Sequence, residues 1–423
     1  MSRAALGAAL IVALFVPLNY ALQLWLDWSA LWPARVWLFG DNPDSGDSWH
    51  VMQTALDWVR AHPDEPLYQN IFFGQQLKFQ YAPTSFLPLE ALQALGIDTN
   101  PAFLNGVNRA LIALTAIGMG LFAWRAFTRF RAAPLDADAR AARWLLTALA
   151  VAATLTFYPV MMAYKLGQLQ VWINALFVFA ALAWLIERRA LAGVLIGLIC
   201  LLKPQFGLFA LWGVLRREWG FTLALGATGA AGLGLSVLLY GFANHLDYLS
   251  VLQYLSRHGE SYIANQSVNG LLHRLVGNGV SDQFAPNAFP PFHPMVYAGT
   301  LIATLGLVAA ALILPRGRDA AAGVWDFLFA ALAFTIASPI AWEHHYGVIA
   351  PAFAALLCAY VASRRVPPPV WWALALCFAL AANSLTFTWL LVAPPLNVLQ
   401  SYLLFAGLGV LALLWRQRKL KPD

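Results

Sequence analysis

The stretch RRALAGVLIGLICLLKPQFGLFALWGVLRR, residues 188–217, decides how this chain folds. Its flanks are the pairs Arg188/Arg189 and Arg216/Arg217, and the 26 residues between them carry a single charge, Lys203. A helix rises about 1.5 Å per residue, so 26 residues reach ~39 Å, whereas two full crossings of a bilayer need about 40 residues. One side of the membrane must hold both arginine pairs if positive charge stays inside. The reading that satisfies both limits is a hairpin of two short helices turning at Lys203-Pro204-Gln205. Pro204 suits the first turn of the second half. The turn then sits below the outer surface and sets a lysine at membrane depth.

Composition requires the same setting. Of 423 residues, 61% are hydrophobic and 11% are Asp, Glu, Lys or Arg, where a soluble domain carries about 25% charged residues. Mean hydropathy is +0.65. These values exclude a water-soluble enzyme and a disordered chain. The net charge of +6 is not gathered on one face, as nucleic-acid binding requires, so no nucleic-acid partner is expected. Cys200, Cys358 and Cys377 all lie in apolar runs, with no spacing that suggests zinc or a disulfide framework.

Apolar runs at 4–25, 104–124, 144–163, 168–186, 190–202, 204–215, 220–240, 296–314, 324–340, 347–362, 368–384 and 398–415 predict an all-α polytopic membrane protein of about 12 transmembrane segments. The chain reads as a single transmembrane domain over 1–423. With both termini cytoplasmic, 18 of the 26 basic residues fall inside and 13 of the 20 acidic residues outside. Two outer loops are long, 26–103 and 241–295, and loops beyond ~15 residues are usually functional or disordered. In the first, Val51, Ala55, Trp58 and Val59 recur at helical spacing, predicting a surface helix that begins after Asp47.

Ionisable residues in apolar surroundings mark the candidate site. Lys203 at membrane depth needs a polar cavity or a partner. A half-helix N-terminus converging there favours an anion such as phosphate, while a lysine snorkelling to the interface is the plainer reading. Ser338-Pro339-Ile340-Ala341-Trp342-Glu343-His344-His345-Tyr346 forms a polar turn between two spans. Its histidines suit a phosphate or a sugar hydroxyl, and neither an i,i+4 pair nor a carboxylate at ligand spacing favours a metal. Asp41, Asp44 and Asp47 are the outer-loop carboxylates, and Asp47 reads either as an N-cap or as a catalytic group. Lys165 and Gln168, then Asn265, Gln266 and Asn269, are outward amide and lysine clusters suited to sugar hydroxyls. No P-loop, dinucleotide fingerprint, zinc-protease helix or nucleophile elbow occurs.

Taken in order, these motifs resemble glycosyltransferase family 87. Gly46-Asp47, Leu67-Tyr68 and Phe79-Gln80-Tyr81-Ala82-Pro83 resemble its first outer loop. Gly167-Gln168, Lys203-Pro204-Gln205, Asn265-Gln266-Ser267-Val268-Asn269-Gly270 and Ser338-Pro339 with His344-His345-Tyr346 resemble its later motifs. The family includes polyprenol-phosphate-mannose-dependent mannosyltransferases. The resemblance implies a GT-C-type bundle whose site faces the periplasm or exterior of a bacterial inner membrane. It implies a polyprenyl-phosphate sugar donor, a glycolipid or glycan acceptor, inversion at the anomeric carbon and no cofactor. Asp47 matches the family's general base. Lys203, His344 and His345 are expected at the donor phosphate, and Tyr81, Lys165, Gln168, Gln205, Asn265, Gln266, Asn269 and Glu343 at the sugar or acceptor. Trp49 stands where a tyrosine close behind the aspartate is expected. A transporter or flippase of lipid-linked sugars is the alternative: discontinuous helices would suit it, but no inverted repeat is visible.

Overall fold

A computed structural model describes residues 3–25, 46–315, 320–363 and 366–419. Asp41, Asp44, Arg35, Arg316, Arg318, Arg364, Arg365 and Lys421, all used in the sequence reading, lie outside the described residues. Regular structure within them is helical, apart from one isolated bridge that pairs Asn265 with Trp342. The helices are α1 (Arg3–Trp25), α2 (Asp47–Ala61), α3 (Leu87–Ala94), α4 (Pro101–Phe130), α5 (Ala137–Thr156) and α6 (Tyr158–Lys165). There follow α7 (Gln170–Leu185), α8 (Arg189–Leu202), α9 (Leu208–Arg216), α10 (Trp219–Tyr240), α11 (Phe242–His258) and α12 (Val268–Val276). The last are α13 (Pro294–Ile313), α14 (Ala320–Ile336), α15 (Ala350–Ala362), α16 (Pro368–Ala381) and α17 (Tyr402–Lys419).

Among the described residues, six helical runs are long and apolar enough to cross a bilayer: Pro101–Phe130, Ala137–Lys165, Trp219–Tyr240, Pro294–Ile313, Glu343–Ala362 and Leu396–Arg418. The protein is a multi-pass helical membrane protein. Shorter apolar helices fill the bundle between them. The stretch quoted first forms α8, of 14 residues, and α9, of 9, joined by a turn over Pro204–Gly207. At about 1.5 Å per residue neither crosses the hydrocarbon core alone.

Two local departures from the sequence reading have physical causes. The segment read as one span over 144–163 breaks at Phe157, whose ψ of 113° is extended. Pro159 lacks the N–H that would continue the helix, and the Tyr158 amide instead donates to the Ala382 carbonyl at 3.3 Å. The outer helix α2 starts with Asp47 inside its first turn and Gly46 as its cap, with no side-chain cap hydrogen bond. The Asp47 carboxylate is therefore not spent on capping.

Close packing fixes the hairpin. A Cβ on Gly193 of α8 would lie 2.2 Å from the Phe221 carbonyl oxygen of α10, so only glycine permits that approach. Trp184, Phe209, Trp212, Phe221 and Phe327 form an aromatic layer beneath it, with Trp184 stacked on Phe327 at 4.9 Å. The first long loop, in its described part, docks on α11. The Leu67 amide donates to Asn244 at 2.8 Å and the Tyr68 amide to Asp247 at 2.7 Å.

At the other end of the hairpin, the fully buried Asp326 of α14 accepts from Arg216 Nε at 2.8 Å, Trp212 Nε1 at 3.1 Å and Arg418 Nη2 at 2.5 Å. Both arginines also donate to the Leu314 carbonyl, each at 2.9 Å. One carboxylate thus ties α9, α14, α17 and the end of α13 together. Replacing Asp326 by Ala strands two guanidinium groups, which is expected to cost about 3–5 kcal/mol. Thermal unfolding of the detergent-solubilised protein should show the loss, and an unchanged transition would remove this cluster as a structural tie.

Candidate active site

One cavity of about 1490 Å³ opens where the α8–α9 turn, the first long loop, α11 and the 338–345 turn meet. Nine of the residues singled out from the sequence line it: Asp47, Tyr81, Lys165, Gln168, Lys203, Gln205, Glu343, His344 and His345. Its remaining wall is largely apolar, with Leu208 and Leu211 from α9, Leu252 and Leu255 from α11, Val308 from α13 and Phe334 from α14.

Asp47 enters from the start of α2, whose first amide donates to the Leu166 carbonyl at 3.0 Å. Gly167 follows in the left-handed region, at φ 64°, a turn that glycine takes without strain. That turn ends α6 and presents Gln168, whose Nε2 donates to Asp47 Oδ2. Ser48 Oγ donates to Gln168 Oε1 at 2.8 Å and accepts from the Leu169 amide at 3.1 Å. The Tyr81 hydroxyl lies 2.8 Å from Ser48 Oγ and 3.2 Å from Gln168 Oε1. Asp47 is exposed to the cavity, yet the protein packed around it raises its carboxyl above its ordinary range, and the Gln168 donor only partly opposes this. Burial holds the Tyr81 hydroxyl in its protonated form.

The lysine–histidine side comes from two turns. Lys203 Nζ donates to Gln170 Oε1 at 3.0 Å, and Gln170 Nε2 in turn donates to Asn174 Oδ1 at 2.9 Å. The Trp342 amide donates to His345 Nδ1 at 3.2 Å, so in the neutral ring the proton sits on Nε2. His344 is buried, and its Nε2 has no hydrogen-bond partner among the described residues. Glu343 is held from both sides, accepting from Tyr158 at 2.7 Å and Tyr402 at 3.2 Å. No group of three or more His, Cys, Asp or Glu able to hold a metal ion occurs among the described residues.

Three sequence candidates do not reach the cavity. Asn265, Gln266 and Asn269 are fully buried, and their amides are taken up by backbone and structural partners. Asn265 Nδ2 and Ser267 Oγ donate to the Pro339 carbonyl at 3.1 and 2.8 Å, and Asn265 Oδ1 accepts from the Ala341 amide at 3.0 Å. Gln266 Nε2 donates to the Ile263 and Gln400 carbonyls, each at 2.7 Å, while its Oε1 accepts from the Leu403 amide at 3.1 Å. Asn269 Oδ1 accepts from the Glu260 amide at 3.1 Å, and its Nδ2 donates to Thr300 at 3.1 Å. These residues fasten the turn that carries the histidines. Amide-rich motifs look alike in sequence whether they face a ligand or a carbonyl.

Sequence reasoning also missed lining residues. Lys78 pairs with Glu260 at 2.9 Å and lies 4.1 Å from the Phe289 ring centre. Burial pulls its ammonium below the ordinary range, and Glu260 works against that shift. Its signal was position, immediately before Phe79-Gln80-Tyr81. Tyr262, Phe284, Trp342 and Trp389 gather rings from separate segments on the cavity wall, with Tyr262 and Trp389 centred 5.8 Å apart. His50 lies one helical turn past Asp47 and also faces the cavity.

Comparison with known proteins bears on this cavity. Residues 79–339 match the family model for Glycosyltransferase family 87. The chain is also 27% identical over 328 residues to the polyprenol-phosphate-mannose-dependent alpha-(1-2)-phosphatidylinositol mannoside mannosyltransferase of Mycobacterium tuberculosis, covering 74% of this chain and 70% of that protein. The family match takes in Lys165, Gln168 and Lys203. Asp47 precedes it and Glu343, His344 and His345 follow it, so their assignment rests on the cavity.

Gln266 and Gln205 separate scaffold from cavity. Gln266→Leu leaves backbone groups unpaired, at about 1–3 kcal/mol each, and should lower the thermal unfolding temperature markedly. Gln205, whose buried Nε2 has no hydrogen-bond partner among the described residues, should tolerate Leu with little change in the same measurement.

Proposed function

Because the chain belongs to glycosyltransferase family 87, we propose that it transfers a hexose, mannose by analogy with its relative, from a polyprenyl-phosphate donor to a hydroxyl of a glycolipid or glycan acceptor. The observation that carries this reading is the joining in one cavity of a carboxylate, a lysine–histidine set and a wall of leucines. Each suits one part of the reaction.

The acceptor hydroxyl is a weak nucleophile, and Asp47 takes its proton as oxygen attacks the anomeric carbon. Attack from the face opposite the phosphate inverts that centre, and a single base suffices. The C–O bond to the polyprenyl phosphate breaks with its electron pair passing to the phosphate. Lys203 and the Nε2–H of His345 stabilise the charge that develops there, with His344 beside them. The phosphate leaves without needing a proton from the protein. Leu208, Leu211, Leu252 and Val308 suit the prenyl chain, and Leu211 is 47% exposed toward the surroundings of the bundle. The donor arrives already activated, which accords with a sequence that carries no nucleotide-binding motif.

We place the cavity at the extracytoplasmic face of a bacterial inner membrane, with 12 segments and both termini cytoplasmic, in a single transmembrane domain over 1–423. The charge distribution supports this. The placement sets Asp326, Arg216 and Arg418 inside and the Asp47 cavity outside.

The test is transfer of labelled mannose from polyprenyl-phosphate-mannose in membranes expressing each variant, with a membrane lipid extract as acceptor. Asp47→Asn should lower turnover by about 10²-fold or more, the range of general base catalysis. Lys203→Met should lower it by roughly 10²-fold through lost charge stabilisation. Because the base works ionised and the protein packed around it raises its carboxyl, activity should fall on the acid side at a pH above the ordinary carboxylate range. Donor crossing the bilayer without any transfer would instead favour a flippase.

A further inference from the structure

We infer that Gln168 is a positioning residue for Asp47: it binds one carboxylate oxygen, is itself locked by Ser48 and Tyr81, and leaves the other oxygen to the acceptor hydroxyl. This rests on the reading of Asp47 as the base, and it assigns Gln168 away from the direct sugar contact that the sequence suggested.

The two ends of the amide differ in chemistry but not in shape. A glutamine side chain looks the same to its surroundings when rotated half a turn, unless its neighbours distinguish oxygen from nitrogen. Here they do. Ser48 Oγ accepts a hydrogen bond from the Leu169 amide at 3.1 Å, and its own proton goes to Gln168 Oε1 at 2.8 Å. The Tyr81 hydroxyl, 3.2 Å away, adds a second donor to that oxygen or supports Ser48 at 2.8 Å. Hydroxyls can donate or accept, so the deciding neighbour is the ionised Asp47 carboxylate, which can only accept and turns Nε2 toward itself, while Oε1 takes the Ser48 proton.

An N–H can only donate, so this contact favours the ionised carboxylate over the acid. It also chooses the oxygen: Gln168 occupies Oδ2, and no described residue hydrogen-bonds Oδ1. Among the described residues, the titratable groups around the cavity are His50 on the same helix, Tyr81 and Lys78 in the first loop, Lys165 at the end of α6, Tyr248 of α11, Tyr262, and Lys203, Glu343 and the histidine pair beyond. Among the described residues none of them donates a hydrogen bond to Asp47, and the neutral amide of Gln168 does. Gln168 is only 7% exposed, and both ends of its amide are engaged within the protein.

The experiment compares wild type, Gln168→Leu, Ser48→Ala and Asp47→Asn in the mannose-transfer assay from about pH 5 to 9, a range spanning the acid limb, with kcat and donor KM measured separately. Gln168→Leu should lower kcat by about tenfold or more, the scale of one lost hydrogen bond to a charged group, with KM nearly unchanged. Its acid limb should move to higher pH. Ser48→Ala keeps the amide but loosens it, so it should move the limb the same way by less, and it guards against misfolding of the leucine variant. An unshifted limb in both variants, with Asp47→Asn inactive, would overturn the positioning role and leave the base in place. A rise in KM alone would overturn it too, returning Gln168 to substrate binding. Wild-type turnover by Asp47→Asn would remove both the base and its positioning.

Discussion

A charge inside an apolar helix bundle survives only beside a partner or a polar cavity, and that constraint organises this molecule. Asp326 meets it with two guanidinium groups and an indole N–H, all within 3.1 Å. Lys203 meets it with Gln170 at 3.0 Å and a place on the cavity wall. Lys78 meets it with Glu260 at 2.9 Å under two phenylalanine rings. Arg216 and Lys203 sit at opposite ends of the same short helix and its preceding turn. The hairpin of α8 and α9 therefore has a buried ion pair near one end and a cavity-lining lysine at the other.

What the sequence made legible was whatever depends on neighbours in the chain. The hairpin could be read because two arginine pairs and a Lys-Pro step lie within 30 residues. The outer helix α2 could be read because Val51, Ala55, Trp58 and Val59 repeat at helical spacing. The break at Phe157 was missed, although Pro159 announced it, because the hydropathy on either side is continuous. Partners far along the chain were not legible at all. Gln168 meets Asp47 across 121 residues, and Lys78 meets Glu260 across 182.

The amide motif 265–270 shows how a functional-looking pattern can serve the site from behind. Asn265 and Ser267 hold the Pro339 carbonyl, the Gln266 amide reaches the Ala341 carbonyl at 2.8 Å, and the Glu343 amide reaches the Ala264 carbonyl at 2.9 Å. Tyr346 closes the arrangement on the Gln266 carbonyl. A polar turn buried among helices must satisfy its own backbone, and side-chain amides do this with a donor and an acceptor on one group. The position of His344 and His345 is thus set in large part by Asn265, Gln266, Ser267 and Tyr346, none of which lines the cavity.

The same economy accounts for the amide that, among the described residues, donates to Asp47 where a cation could have stood. An ammonium in hydrogen-bond contact would keep the carboxylate ionised, but it would also pull its affinity for protons far down and leave a feeble base. No donor at all would leave desolvation unopposed and favour the protonated acid, which cannot take the proton of a hydroxyl. A neutral N–H lies between these limits: it favours charge without matching it. On the proposed reading the cations are then free for the other half of the reaction, where a leaving phosphate gains charge and full positive charge is what it requires. On that reading, base and leaving-group sites share one cavity yet need opposite electrostatics, and an amide at the first with lysine and histidine donors at the second supplies both.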